Sequence, residues 1–147
     1  MMQEYCLGFM IGECGQVALI RKNRPAWQAG LLNGIGGHLE EGETGVDAMV
    51  REFEEETGLL VPADRWEAFA YLSGAAWIVS VFRTSHPDLS DLRSMTDEQI
   101  EIVDSSDLPK EVVSHVNWLI PMALFSKDCV ADVCHFAATD SEGNPIS

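Results

Sequence analysis

The chain has 147 residues, 46% of them apolar, and a formal net charge of −15. That length reads as one domain spanning residues 1–147, large enough to bury a core without disulfides or a structural metal and too apolar to stay disordered. The surplus of carboxylates excludes a protein that wraps a nucleic-acid polymer, because phosphate contacts need clustered Lys and Arg, but it leaves room for a polyanionic substrate bridged by divalent cations.

Four cysteines stand at Cys6, Cys14, Cys129 and Cys134, with no CxxC pair and no zinc-module spacing to His135. They read as free thiols in a reducing compartment. The stretch MMQEYCLGFMI has no basic region and no long apolar core, so no signal peptide is expected. No apolar run approaches the ~18 residues of a spanning helix. A cytoplasmic protein with no membrane partner is the expectation.

Taken in chain order, YCLGFMI (5–11) and QVALIRK (16–22) are apolar, β-rich stretches separated by GECG, which predicts two strands and a hairpin. NRPAWQAGLLNGIGGHLEEGE (23–43) carries Pro25 and many glycines and reads as a long loop with one short strand at Leu31–Leu32. Thr44 is placed to cap a helix with Asp47 completing a capping box, and the helix runs to about Thr57, where Gly58 closes it. Residues 66–74 and 75–84 are predicted strands around Gly74. Residues 85–98 form a polar loop, and 99–106 alternate as a half-exposed strand does. Residues 108–127 read as a second helix with Pro109 near its start and Pro121 kinking or interrupting it. Residues 129–139 make a last strand, followed by a tail. The order of elements predicts a mixed sheet with two main helices in an α/β or α+β layout.

The chemistry gathers between residues 36 and 60, which hold eight of the chain's 24 acidic residues. Stepping ~100° per residue along 45–56 places Val46, Met49, Val50 and Phe53 on a buried stripe. Glu52, Glu55 and Glu56 share another arc, since positions i, i+3 and i+4 are neighbours, and Gly45 and Ala48 lie upstream on it. Asp47, Arg51 and Glu54 point elsewhere, toward solvent or the preceding loop. A merely solvated helix would intersperse lysines to relieve the repulsion, and this arc has none. A hard-cation site is the alternative, because Mg2+ takes oxygen ligands and shares them with substrate phosphates. The glycines before the helix, Gly36 and Gly37 among them, suit a backbone that approaches phosphate oxygens. Glu43 can fold back onto the helix face. Arg51, four residues before Glu55, can hold a carboxylate in its guanidinium fork or form a surface salt bridge of little energetic weight.

Gly37, Glu43 and the run Arg51-Glu52-Phe53-Glu54-Glu55-Glu56-Thr57-Gly58-Leu59 fill every fixed position of G-x5-E-x7-R-E-U-x-E-E-x-G-U, and this stretch resembles the Nudix box. The resemblance implies a Nudix-type α/β/α sandwich with a mixed β-sheet. It implies a hydrolase that cleaves a nucleoside diphosphate linked to X with Mg2+ or Mn2+. Carried over by position, Glu52, Glu55 and Glu56 are metal ligands, Arg51 orients a glutamate, Glu43 belongs to the outer network, and Gly37 shapes the helix entry. The physics agrees: cations screen the phosphate charge, position the substrate and lower the pKa of a water.

The general base in this family is a box glutamate or one from a distant loop; Glu98 is the distant candidate and Glu101 its alternative. LLNGIGGHLEEGET and HVNWLIPMAL resemble members that hydrolyse nucleoside triphosphates, which implies that Asn33 contacts a base and that Trp118 or Trp27 stacks on one. No acidic pair precedes Pro121, where His115 and Val116 stand instead, so a preference for oxidised purines is not implied. The expected reaction is (d)NTP to (d)NMP and pyrophosphate. Other nucleoside diphosphate derivatives such as ADP-ribose or a nucleotide sugar, a catalytically silent nucleotide sensor and an acidic interaction module are the rival readings, and the intact box favours the enzyme. A small nucleotide is the expected partner, and apolar strands leave a homodimer open.

Overall fold

Alternation along the first two strands sets up the layers. In the computed structural model, which describes residues 2–125 and 134–137, β1 (Gln3–Ile11) and β2 (Gln16–Arg21) pair antiparallel across a 3-10 turn at Glu13–Gly15. Leu7 and Phe9 of β1 join Val17 and Leu19 of β2 in one core, while Cys6, Met10, Ala18 and Ile20 join a second. Side chains alternate between faces along a strand, so strands apolar at every position must be covered on both sides.

Two helices supply the covers. The strands β3 (Leu32–Asn33) and β4 (Ile35–His38) precede α1 (Gly45–Thr57); β5 (Glu67–Ser73), β6 (Trp77–Ser85) and β7 (Gln99–Asp104) follow it, then α2 (Val116–Phe125) and β8 (Cys134–Ala137). Ala48, Met49 and Phe53 of α1 complete one core, and Val116, Leu119, Ile120 and Ala123 of α2 complete the other. The result is an α/β/α sandwich around a mixed eight-stranded sheet, as the sequence predicts. Its strands run β3-β2-β1-β6-β5-β8, with β4 added on β1 and β7 on β2. The β1–β6 and β5–β8 pairs are parallel. The α1 layer comes close to the sheet because Gly8 leaves its place to Met49: a Cβ there would lie 2.6 Å from the Met49 sulfur.

One edge of β1 pairs with β6 over nine residues. The other edge is shared, by β4 at Tyr5–Gly8 and by β2 at Met10–Ile11. A strand edge can serve only one neighbour at a time, so the sheet forks there. Within the fork, Asn33 on β3 and Gly37 on β4 follow each other closely in the chain.

Two sequence expectations need correction. The segment 23–43 holds two short strands rather than one at Leu31–Leu32. β4 has no alternation to betray it, being IGGH, and exists through its pairing with β1. The second helix begins at Val116, not near Pro109. Residues 111–113 are drawn into the sheet edge, where the Leu32 amide donates to the Glu111 carbonyl (2.7 Å) and the Val113 amide to the Leu32 carbonyl (2.9 Å). That tertiary ladder overrides a helical pattern. Pro121 lies inside α2. Of the predicted last strand, Cys134–Ala137 is described; Cys129 and the tail lie outside the described residues.

Gly36 shows how tight the fork is. A Cβ at this position would collide with the Cys6 carbonyl on β1, and backbone does not move aside as a flexible side chain does. Gly36→Ala is expected to lose about 2 kcal/mol or more of unfolding free energy. Urea denaturation reads this directly, and an unchanged midpoint would show that β1 and β4 are not held at this spacing.

Candidate active site

Helix α1 is fixed at both ends before any functional side chain is considered. Thr44 Oγ1 accepts the Asp47 amide (3.2 Å), and the Thr44 amide donates to Asp47 Oδ2 (3.3 Å), closing the capping box. At the other end Gly58 has φ +77°, which only glycine adopts cheaply, and its amide donates to the Glu54 carbonyl. The arc of Glu52, Glu55 and Glu56 is thereby set rigidly over β4. Gly37 makes its floor: a Cβ there would lie 2.6 Å from Glu52 Oε1.

The three carboxylates meet different surroundings. Glu55 is exposed, Glu52 is mostly buried, and Glu56 has its Oε2 buried with no hydrogen-bond partner among the described residues. Burial pushes Glu56 up to about 7; Lys22 partly offsets this, and Glu52, Glu98 and Glu55 add to it. Burial also raises Glu52, against the pull of Arg51.

Arg51 reaches the preceding loop and Glu55, as its place on the helix and its spacing to Glu55 anticipate. The helical wheel turns its Cβ away from the arc, and its side chain folds back across it to Glu52 as well. Nε and Nη2 donate to Glu43 Oε2 and Oε1, both at 2.9 Å, Nη1 reaches Glu52 Oε1 at 3.0 Å and Glu55 Oε2 at 3.3 Å, and Nη2 also donates to the His38 carbonyl at 3.0 Å. A long side chain carries its charge well beyond the angle set by its Cβ. Glu43, held by this fork and by the Glu40 amide, has its carboxyl pulled down to about 2. The guanidinium is raised correspondingly.

Glu98 is not an open loop residue. It is 5% exposed, with Oε1 on Lys22 Nζ (2.8 Å) and Oε2 on the Asn23 amide (2.6 Å). Burial pushes its carboxyl up, but the Lys22 and Asn23 hydrogen bonds outweigh that and hold it below its ordinary value. Glu101 sits on the β2–β7 ladder with both oxygens on Arg21, at 2.6 and 2.7 Å. Cys6, under Gly37 in the β1–β4 register, is buried, and burial pushes its thiol up to about 12, which leaves it an unreactive thiol.

At the other end of the fork Asn33 is 7% exposed. Its Oδ1 accepts the Gly34 amide (2.8 Å) and contacts His115 Nε2 (2.9 Å), and its Nδ2 donates to Gln28 Oε1 (3.0 Å). Trp118 is 40% exposed on α2 one turn past His115, and Trp27 is 65% exposed in the turn that carries Gln28. Lys22 and Gln28 escape a linear reading altogether, since Lys22 meets Glu98 across 76 positions of sequence.

An all-oxygen donor set and an orphaned buried carboxylate oxygen suit a hard cation. No three of the described His, Cys, Asp or Glu side chains converge into a closed cage, because Arg51 draws Glu52 and Glu55 to itself. The donor set suits a divalent cation that takes carboxylate oxygens of this arc and completes its coordination with water and phosphate oxygens.

The NUDIX domain family model matches residues 5–123. Among curated proteins, none matches the chain in sequence. Several solved structures share the fold. A MutT NUDIX hydrolase from Burkholderia pseudomallei has a TM-score of 0.71 at 20% identity, over 83% of this chain and 98% of that one. A MutT structure, from work on the Aliivibrio salmonicida and Vibrio cholerae proteins, has a TM-score of 0.69 at 21% identity, over 84% and 98%. A NUDIX hydrolase from Nitrosomonas europaea has a TM-score of 0.74 at 19% identity, over 92% and 78%.

The buried Glu56 carboxylate carries a pH signature. Its folded pKa lies above the ordinary one, so the native state binds the extra proton between about 4.5 and 7, and stability falls as pH rises through that window. With a metal chelator present, Glu56→Gln is expected to melt about 4–8 °C above wild type at pH 8. At pH 4.5 the gain shrinks toward zero. A variant that melts at or below wild type at pH 8 contradicts the buried, unpartnered carboxylate.

Proposed function

The chain belongs to the Nudix hydrolase family, which implies hydrolysis of a pyrophosphate bond in a nucleoside diphosphate derivative, and we propose that its substrate is a (d)NTP converted to (d)NMP and pyrophosphate with Mg2+ or Mn2+. The observation that carries this is the glutamate arc of α1, set on the Gly37 floor with the Glu56 oxygen buried and unpartnered. Glu52, Glu55 and Glu56 would hold the cation. Bound there, it would screen the phosphate oxygens and acidify the attacking water.

The chain's own residues supply the rest. Arg51 ties Glu43 to the arc and keeps Glu52 and Glu55 turned toward one another, which presents their oxygens from one side. Glu98, held below its ordinary range by Lys22 and the Asn23 amide against the upward push of burial, is the proposed general base. Glu101, with both oxygens on Arg21, is the alternative base. Gly36 and Gly37 bring the β4 backbone under the phosphates, and Asn33 and Trp118 receive the base. We place the protein in the cytoplasm; no helix among the described residues is long and apolar enough to cross a membrane.

A panel of nucleotides with Mg2+, read by phosphate and pyrophosphate release, separates the substrate classes. Pyrophosphate is the expected first product from a nucleoside triphosphate, and Glu55→Gln is expected to lower kcat by ~10²-fold or more with an unchanged melting temperature. Two monophosphates as products would move the substrate to a dinucleotide or nucleotide sugar. No turnover of any nucleotide, together with undiminished metal binding by Glu55→Gln, would remove the enzymatic reading.

A further inference from the structure

The antiparallel pairing of β2 and β7 runs as far as Arg21 opposite Gln99. One step further sets Lys22 opposite Glu98, and a second sets Asn23 opposite Asp97. Peptide groups along a strand point alternately to its two edges. The Lys22 amide donates to the Leu31 carbonyl and the Lys22 carbonyl accepts the Gly30 amide, both at 2.8 Å, so Lys22 is committed to the β3 edge. The Asn23 amide therefore faces β7, where the next ladder bond would take it to the Asp97 carbonyl. It does not go there. It donates to Glu98 Oε2 at 2.6 Å, and the Asp97 carbonyl accepts the Asn23 side-chain Nδ2 at 2.9 Å instead. The side-chain amide fills the ladder position and releases the backbone N–H for a carboxylate. A residue without a side-chain donor would have one N–H for two acceptors.

The rest of Glu98 is arranged around that bond. Lys22 and Glu98 make the cross-strand pair without backbone bonds, whose side chains lie closest, and Lys22 Nζ meets Oε1 at 2.8 Å. The Arg24 amide reaches Oε2 at 3.4 Å. On the outer edge, Thr96 Oγ1 accepts the Glu98 amide at 3.2 Å. Ile20 and Ile100 belong to the α1-side core, so Lys22 and Glu98, two residues on along each strand, face the α1 layer as well. The Met95 amide donates to the Glu56 carbonyl at 3.1 Å, which ties the same loop to the end of the glutamate arc. Among the described residues Oε1 accepts from Lys22 alone, so it keeps a lone pair for a water. The Arg24–Asp97 ion pair joins the same two segments, but it is exposed and contributes little.

We propose that Asn23 is a positioning residue for Glu98: its side chain stands in for the backbone donor of the β2–β7 ladder and so frees its own amide to hold that carboxylate on the α1 side of the sheet. This deepens, and rests on, the reading of Glu98 as the general base. Removal of the side-chain donor lets the ladder close, because the residue 23 amide can then return to the Asp97 carbonyl. Glu98 is left with Lys22, whose four-carbon stem fixes a carboxylate less sharply than a backbone amide does. The fold keeps its hydrogen-bond count and the carboxylate loses its orientation, so stability and turnover respond differently.

The experiment compares wild type, Asn23→Ala and Glu98→Gln by melting temperature, by kcat and KM with Mg2+ on the dNTPs, and by amide-resolved NMR. Asn23→Ala is expected to melt within about 2 °C of wild type, since the ladder closes. Its kcat is expected to fall about 5–10-fold, the effect of one hydrogen bond of ordinary net strength, with KM changed less than ~2-fold. In wild type the residue 23 amide proton, bonded to a charged acceptor, is expected well downfield, and it moves upfield in both Asn23→Ala and Glu98→Gln. A merely structural Asn23 would lower melting temperature and kcat together, and that outcome overturns the inference. So does a kcat unmoved by Asn23→Ala, or a residue 23 amide proton that Glu98→Gln leaves in place; each leaves the hydrolase reading intact. Absent turnover of any nucleotide overturns the hydrolase reading, and the amide proton then decides this inference by itself.

Discussion

Carboxylates this crowded cannot share two helical turns unless a positive group stands among them, and Arg51 is that group. It is the lone basic side chain among the eight acidic ones between residues 36 and 60. Its five donors are spread over Glu43, Glu52, Glu55 and the His38 carbonyl. A lysine could not take this place, since a point charge lacks the planar fork that grips Glu43 with two parallel bonds. The fork also crosses from helix to loop, so the same contact that relieves repulsion anchors the segment between β4 and α1. Its geometry is the cause of the uneven site. Glu43 is held far down, while Glu56, beyond the reach of Arg51, is pushed up by burial.

The glycines matter for distance rather than for flexibility. Gly8 lets Met49 reach the sheet, Gly36 lets β4 lie on the Cys6 backbone, and Gly37 leaves the space that Glu52 fills. Each lets neighbouring elements come closer than a methyl group would permit. The arc therefore lies directly over a strand, and Glu56 loses its water. The strain on Glu56 is a consequence of close packing, and a better-hydrated helix would be more stable and less poised to take a cation.

What was legible in the sequence was local. Thr44, Asp47 and Gly58 interact within one turn of α1, so its ends could be read to the residue. β1 and β2 declare themselves by unbroken apolar character, and the Glu52–Glu56 arc follows from helical spacing alone. What was not legible is held by partners distant in sequence. Residues 111–113 look helical until Leu32 offers them a ladder. β4 is a strand because β1 is beside it. Glu98 looks like a polar loop residue until Lys22 and the Asn23 amide enclose it. Arg51 was legible in part: its reach to the loop and to Glu55 follows from helical spacing, but its added grip on Glu52 does not, because a projection locates Cβ atoms and its charge sits a full side chain away.

The two ends of the site consequently differ in kind. Around Asn33 the side chain is already held by the Gly34 amide, His115 and Gln28, so its orientation is set in advance. Around Glu56 a buried oxygen has no partner among the described residues, and the neighbouring carboxylates of Glu52 and Glu55 meet at Arg51 Nη1. Such an arrangement gains from a cation only if phosphate oxygens complete the coordination that the protein leaves open. On the proposed reading, a nucleotide held at the preformed end would bring its phosphates to the unsatisfied end, where a cation would complete the site. Binding at one end thus raises the local concentration of the missing ligands at the other, and neither end needs high affinity alone.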